Sequence, residues 1–243
     1  GSSDTYVGYA IGANEGTTTT NTTGTEDSIV QTDPSGGFAI AKYTGTGSAM
    51  TVAHGLAVQP ELSIIKDLDA AESWVVYTKM IDGSNDYFVL DTDSAVGDSG
   101  LPGAGTTLFT WSSGSSFSNT SGNDFIMYSF ANTEGYIKAG TYFGNANADG
   151  TFVYTGFKPS FIMAKPIVTG NWRIQDTARS PFNVSAKALS PNLSSAEDTV
   201  SSLGIDILSN GFKMRDSSTE FNQATTFIYL AFAENPFQYA TAR

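Results

Sequence analysis

The residue best suited to catalysis in this chain is its only histidine, His54, in the stretch TVAHGL. A histidine beside a serine and a carboxylate could form the triad of a hydrolase, and serine and aspartate are abundant here. However, the chain has no G-x-S-x-G sequence, and the second half reads TGF at 155–157 where the first half has HGL at 54–56. We therefore predict that His54 is a hydrogen-bonded residue where a strand meets a turn.

Carboxylates occur in two clusters that could supply the acid pair of a glycosidase, which needs carboxyl groups about 5–10 Å apart. The clusters are KDLDAAE, with Asp67, Asp69 and Glu72, and DTDSAVGD, with Asp91, Asp93 and Asp98. Both follow predicted strands. The second half retains nothing of the first cluster, since Pro166 and Ile167 follow Lys165 there. We therefore predict solvated loops, which are common in an acidic chain.

The stretch NANADG places oxygen-bearing side chains at alternate positions, as in the first half of a calcium-binding loop. These residues are Asn145, Asn147 and Asp149. The twelfth position of such a loop requires a bidentate glutamate, but Gly156 stands there. We predict a hairpin turn, and the sequence leaves open whether the turn binds a cation. One histidine and no cysteine cannot build a zinc site. We predict no metal site, no cofactor and no catalytic residue, and leave any ligand-binding residues unassigned.

The tryptophans could stack on sugar rings if they are exposed. Trp74 in ESWVVY and Trp172 in GNWRIQ occupy corresponding positions of the two halves, and such positions in a duplicated protein favour core packing. Trp111 corresponds to a leucine in the alignment below, which also favours the core. Lys66 and Lys165 correspond as well, and we predict that each ends a strand and bridges to a carboxylate.

The elements that would position these residues follow from an internal repeat. Three stretches of the chain have similar sequences. They begin at Thr5, Asp124 and Thr226 and read TYVGYAIGANEG, DFIMYSFANTEG and TFIYLAFAENPF. Bulky apolar residues alternate with mostly small ones in each, which predicts a β-strand with one face on a core. The small residues of the other face indicate close packing there too, so we predict that these strands are central.

Matches at a nearly constant offset extend the repeat over most of the chain. PELSIIK at 60–66 matches PSFIMAK at 159–165, an offset of 99, and WSSG at 111–114 matches LSNG at 208–211, an offset of 97. Loops tolerate insertions, so a small drift is expected in a duplicated protein. We therefore predict an all-β fold of two tandem duplicated antiparallel β-sandwich domains, residues 37–134 and 135–243, the second with a C-terminal tail.

The remaining residues, 1–36, precede the first complete repeat. We expect 5–14 to be the end strand of a preceding repeat, so that the chain is the C-terminal part of something longer, and 15–28 to be a Thr-rich linker. One short helix is predicted from SSAEDTVSSLG, where Ser195 and Asp198 could form a capping box.

The composition narrows the classes of function. The chain of 243 residues is 40% hydrophobic and carries a net charge of -12, from 12 basic and 24 acidic residues. Binding to nucleic acid or to an anionic membrane surface requires clustered lysine and arginine, which the chain lacks. No apolar run is long enough for a membrane-spanning helix. Without cysteine there is neither a disulfide framework nor a thiol nucleophile, which suits synthesis in a reducing cytoplasm.

Several motifs together resemble a repeat domain of tail-fibre and other virion proteins of tailed bacteriophages, many of them marine. They are GGFAIAKYTGTGSAMTVAHGLAVQPELSIIK, EGYIKAGTYFGNANADGTFVYTGFKPSFIMAK, NWRIQDTARSPFN and LAFAENPFQYATAR. The match covers nearly all of residues 37–243. It departs at GTYFGNANADG, where the family more often has a run of the type GSYTGNGSADG. The resemblance implies an all-β virion component and supplies no catalytic residue.

From this resemblance we expect a non-enzymatic virion protein, a tail-fibre or decoration component that acts in assembly, in host-surface attachment, or in both. It would be made in the host cytoplasm and displayed on the particle. The expected partners are other virion subunits, a homo-oligomer such as a trimer, and a host cell-surface glycan. A carbohydrate-binding module is the alternative, and it requires at least one exposed tryptophan or a cluster of exposed tyrosines. A glycan depolymerase is a further alternative and requires two convergent carboxylates.

Overall fold

The structure is a computed structural model that describes residues 7–13, 16–98, 102–198, 204–217 and 220–235. Within these ranges the regular elements are β-strands, and the ladders between them are antiparallel. The predicted all-β class is therefore confirmed. The described residues form no helix long and apolar enough to cross a membrane.

The first half of the chain builds two sheets. Its described strands are β1 (Thr19–Asn21), β2 (Ser28–Thr32), β3 (Phe38–Thr44), β4 (Met50–Ala53), β5 (Leu62–Asp67), β6 (Val75–Thr78), β7 (Asp86–Val89), β8 (Gly97–Asp98), β9 (Gly103–Ala104), β10 (Leu108–Trp111) and β11 (Asp124–Phe130). The larger sheet, here called the first main sheet, has the order β1-β2-β3-β11-β5-β6-β7-β8. The first cover sheet has the order β4-β10-β9.

The second half repeats this plan with fewer strands. They are β12 (Ile137–Phe143), β13 (Phe152–Tyr154), β14 (Pro159–Pro166), β15 (Arg173–Asp176), β16 (Ile205–Leu208), β17 (Gly211–Met214) and β18 (Thr226–Ala233). The second main sheet has the order β12-β18-β14-β15, and the second cover sheet has the order β13-β17-β16. Each sheet draws its strands from one side of the boundary predicted between residues 134 and 135.

The strands β11 and β18 are central in their sheets, as predicted. Strand β11 pairs with β3 and β5, and β18 pairs with β12 and β14. The small positions of each strand face the cover sheet, where large aromatic side chains such as Trp111 and Phe212 fill the space. The bulky positions face the other way, and all of them except Ile126 pack in the contact with the opposite repeat. The predicted core face is therefore the contact between the two repeats rather than the interior of either sandwich.

This contact is an apolar core of its own. Phe38, Leu62, Val76, Phe88 and Phe130 of the first main sheet cluster with residues of the second, namely Ile137, Ala139, Met163, Trp172, Ile228 and Leu230. The molecule is thus layered in the order cover sheet, main sheet, main sheet, cover sheet. Each large side chain that is fully buried here contributes about 1.5–3 kcal/mol to the free energy of unfolding, so the two repeats stabilise each other.

One sequence match between the repeats is wrong. Strand β10 pairs with β4 through Phe109 and Val52, and β17 pairs with β13 through Phe212 and Val153. The counterpart of Trp111 is therefore Met214, at an offset of 103, and not Leu208 in the hairpin before it. The shared Ser and Gly of two turns produced the false match, because turn residues recur wherever a hairpin does.

Three predictions outside the repeats are also corrected. Residues 7–13 form no strand, and the side chain of Tyr9 contacts Phe161 and Asp176 of the second main sheet; the rest of 5–14 lies outside the described residues. The expected linker at 15–28 instead contains β1 and the start of β2. Strand β1 pairs with β2, and β2 pairs with β3. The described part of the expected helix, up to Asp198, has no helical turn, and Asp198 bridges to Ala188.

Candidate functional site

His54 lies in the interior, where it cannot meet a substrate. Its ring is fully buried, with Nδ1 accepting the Leu56 N–H at 3.2 Å and Nε2 lying 3.2 Å from the Gly105 carbonyl oxygen. Burial lowers the pKa of His54 to about 4. Thr155 takes the same place in the second repeat, where its Oγ1 accepts the Phe157 N–H. Both side chains order the turn that follows, as predicted for a strand-to-turn junction.

The first acidic cluster organises its own loop rather than a cleft, and the prediction of a solvated loop is wrong for Asp67, which ends β5. Asp67 is buried, and its Oδ1 accepts the backbone N–H groups of Asp69 and Ala70 at 2.9 and 3.0 Å. Its Oδ2 accepts Nδ2 of Asn123 at 2.8 Å. Burial alone would raise the pKa of Asp67, but these hydrogen bonds hold it below the usual value. Asp69 accepts the backbone N–H of Asp124, so both carboxylates are engaged in structural contacts.

The second acidic cluster is divided. The backbone carbonyl of Asp93 accepts the Gly170 N–H at 2.8 Å, which ties this loop to the second repeat. Asp98 lies in β8 directly opposite Asp86, a residue that the sequence did not single out. Burial raises the pKa of Asp86, and the charges of Asp82 and Asp98 add to this effect. Side chains directly opposite each other on antiparallel strands lie close together, so this pair brings two carboxylates near each other, as a depolymerase requires.

The polar turn at 145–149 uses its oxygen atoms internally. Asn145 Oδ1 accepts from the Asn147 N–H and from Nδ2 of Asn222, and Asn147 Oδ1 accepts from the Asp149 N–H. The Asp149 carboxylate pairs with Lys213 at 2.6 Å. The described residues contain no group of three or more acidic or histidine side chains arranged to hold a metal ion. The turn connects β12 of the second main sheet to β13 of the second cover sheet, and these two strands do not pair, so the predicted hairpin is wrong.

The three tryptophans differ in exposure, and this difference defines the candidate site. Trp111 is buried and donates Nε1–H to Ser118 Oγ at 3.0 Å, and Trp172 is buried between the repeats. The core prediction is confirmed for both. It is wrong for Trp74, which is 37% exposed and stacks on Tyr128 with ring centroids 6.4 Å apart and planes 21° apart.

Trp74 belongs to an open part of the first main sheet, here called the Trp74 face and made of Trp74, Tyr128, Ile126 and Lys66. Ile126 pairs with Lys66 across the ladder, and Tyr128 lies two residues along β11 on the same side. All these side chains are half-buried or exposed. Lys66 donates to the carbonyl groups of Asp67 and Ala70 at 2.6 and 3.0 Å rather than to a carboxylate as predicted. The face is a flat aromatic and aliphatic surface on paired central strands, which suits stacking or docking.

Sequence reasoning missed a pair of matched structural residues. Asn119 and Asn222 are both fully buried, and each lies in the loop before the last strand of its repeat. The side chain of Asn119 binds the turn between β3 and β4, and that of Asn222 binds the turn between β12 and β13. Tyr43 and Tyr142 are also matched, since their hydroxyl groups donate to the carbonyls of Ser118 and Phe221, each at 2.8 Å. The shared offset of 103 between the asparagines equals that between β10 and β17, and could have revealed them.

A comparison with protein families adds one result. The family model described as Domain of unknown function (DUF7483) matches residues 1–236, so the chain belongs to this family. No curated protein and no solved structure matches the chain.

Proposed function

We propose that this member of the DUF7483 family is a non-enzymatic structural protein of a bacteriophage virion, a tail-fibre or decoration component that acts in assembly or host-surface attachment. The sequence resemblance to virion repeat domains motivates the proposal. The observation that carries it is the apolar core between the two main sheets, which joins two sandwiches into one continuous scaffold. Such a scaffold suits a particle component, because it holds surface loops in fixed positions.

The placement of the chemically capable residues supports the same function. His54 is buried, and Asp67 and Asp149 are occupied by hydrogen bonds or an ion pair within the fold. Function would then reside in surfaces rather than in a catalytic centre. The partners that this proposal implies are other virion subunits, further copies of the chain and a host-surface glycan.

The test is to locate the protein in particles. Phage carrying this gene would be purified on a density gradient, and peptides of the chain would be sought by mass spectrometry in the particle fraction. Antibodies against the chain should then label tails or capsids in electron micrographs. Recovery only in the soluble lysate, with none in the particles, would refute a virion role.

Carbohydrate binding is a second candidate, because the exposed Trp74 ring stacked on Tyr128 meets its requirement. A sugar ring stacks on such an aromatic surface through its apolar face. A glycan array probed with the wild-type chain and with Trp74→Ala should show binding that the substitution abolishes. Phe182→Ala, which removes a ring that is 82% exposed elsewhere, is the matched control. Release of reducing sugar from a bound glycan, lost in Asp86→Asn, would instead favour a depolymerase.

A further inference from the structure

The contact between the repeats has two distinct halves. The half contributed by the second repeat is centred on Trp172, whose Nε1–H donates to the Val89 carbonyl of the first repeat at 3.0 Å and whose ring meets Phe88 edge-on at 5.8 Å. Lys165 adds to this half, since it is fully buried and its Nζ lies 3.4 Å from the Asp93 carbonyl and over the Phe88 ring. Around Trp172 and Lys165, the half contributed by the first repeat is the segment from Phe88 to Asp93, beside the sheet residues of the apolar core.

The first repeat carries its own copy of the tryptophan half. Trp74 corresponds to Trp172, Lys66 to Lys165 and Ile126 to Ile228. The covered copy is 1% exposed at Trp172 and at Ile228, whereas Trp74 is 37% exposed. No hydrogen bond from the Trp74 indole is found among the described residues. The Trp74 face is thus an open copy of a surface that, in the second repeat, is covered by a repeat of the same kind.

The second repeat carries a copy of the other half. Leu189 bridges to Ile174 as Phe88 pairs with Val76, so Ser190 stands where the first repeat has Val89. A turn follows at both places. The Thr92 N–H donates to the Val89 carbonyl at 3.4 Å, and the Leu193 N–H donates to the Ser190 carbonyl at 3.1 Å.

This second copy of the acceptor half is also accessible. Leu193 is 45% exposed, and Leu189 is half-buried. Each repeat therefore has both halves, and the internal contact uses only one of each.

We propose that the Trp74 face binds a second copy of this chain, which seats its Leu189–Leu193 turn against Trp74 as the Phe88–Asp93 segment is seated against Trp172. In a symmetric contact between the repeats, the two tryptophans would be buried alike; their different exposure makes the contact heterologous. A heterologous contact leaves one free half at each end and propagates head to tail into a ring or a filament. The inference goes beyond the proposed function by assigning the surface through which copies of the chain meet, and it holds for this chain whether or not the protein belongs to a virion.

The test measures self-association of the purified chain by sedimentation equilibrium, at protein concentrations up to the millimolar range. Wild type should form dimers and larger species as the concentration rises. Trp74→Ala and Leu193→Asp should each weaken self-association at least about tenfold, because a central tryptophan and an apolar contact are lost. Phe182→Ala, the matched exposed aromatic, should associate as wild type does. Equal far-UV circular dichroism and unfolding midpoints would establish that each variant folds.

Mixing the two disrupted variants tests the pairing of the halves. Trp74→Ala keeps the acceptor turn, and Leu193→Asp keeps the tryptophan face, so an equimolar mixture should form a heterodimer that grows no further. A wild-type chain that stays monomeric at every concentration would overturn the proposal, as would a mixture that stays monomeric. Loss of glycan binding in Trp74→Ala with no self-association in wild type would assign the face to a sugar instead. None of these outcomes depends on whether the chain is found in particles.

Discussion

Trp74 and Trp172 occupy matched positions just before matched strands, yet the first is 37% exposed and the second 1%. The backbone around them is duplicated, and so are the buried residues that hold each repeat together, such as Asn119 and Asn222. What differs is the neighbour. The second main sheet has the first repeat against its tryptophan, and the first main sheet has nothing comparable among the described residues. Duplication thus preserved the fold, and the contact between the copies created the difference in surface.

The largest expected effect separates the two tryptophans. Trp172→Ala removes a buried ring and its hydrogen bond to Val89, and should lower the free energy of unfolding by about 3–5 kcal/mol. Trp74→Ala should cost less than about 1 kcal/mol in the monomer, because the ring is partly in solvent. Urea denaturation of both variants at low protein concentration measures the difference. Equal losses would mean that the two faces are covered alike, contrary to the structure.

The matched asparagines should behave alike, since each is fully buried. Asn119→Ala and Asn222→Ala each leave backbone groups of the turn between a main and a cover sheet, and of the loop before the last strand, without partners, at a cost of about 2–4 kcal/mol. Asn210→Ala, in the exposed turn between β16 and β17, serves as the control and should change stability by less than about 0.5 kcal/mol. A large loss in only one of the buried pair, measured by thermal unfolding, would break the equivalence of the repeats.

The next effect is a loss of stability at acidic pH, and it comes from a histidine that only the first repeat has. Burial lowers the pKa of His54 from 6.5 to about 4, so the unfolded chain binds more protons than the folded chain between these values. Stability should therefore fall as pH drops through this window, by about 2 kcal/mol down to pH 4.5. His54→Thr copies the residue of the second repeat and should remove this part of the acid sensitivity. The measurement is the free energy of unfolding of both proteins at pH 7 and at pH 4.5. If His54→Thr lost as much stability between these pH values as wild type, the prediction would be contradicted.

The smallest effect is on stability at high pH and comes from the buried Lys165. Burial lowers the pKa of Lys165 from 10.5 to about 8, so the unfolded chain binds more protons at intermediate pH and stability from this group rises with pH. The rise should be about 1–2 kcal/mol between pH 7 and 9.5. Lys165→Met should abolish it, and Phe182→Ala, which removes an exposed ring that does not ionise, should retain it. Comparing each variant with wild type cancels the tyrosines, whose raised pKa values act in the opposite direction above pH 10.

Much of the fold could be predicted from local pattern. Alternation of bulky and small residues located β11 and β18 and identified them as central, because period two is a property of the strand itself. The strands β1 and β2 were missed, because a Thr-rich stretch with little apolar content resembles a linker until β1 pairs with β2 and β2 pairs with β3. Pairing is a contact between distant residues and leaves little mark in the local sequence.

The candidate site was only half predictable. The sequence by itself determined the strand class, the duplication and the equivalence of Trp74 with Trp172, since these depend on residue type and spacing along the chain. Only the tertiary structure decided which face of each central strand meets the other repeat, and which tryptophan stays open to solvent. The same residue at matched positions can be buried or exposed, because burial depends on what the rest of the chain places opposite it.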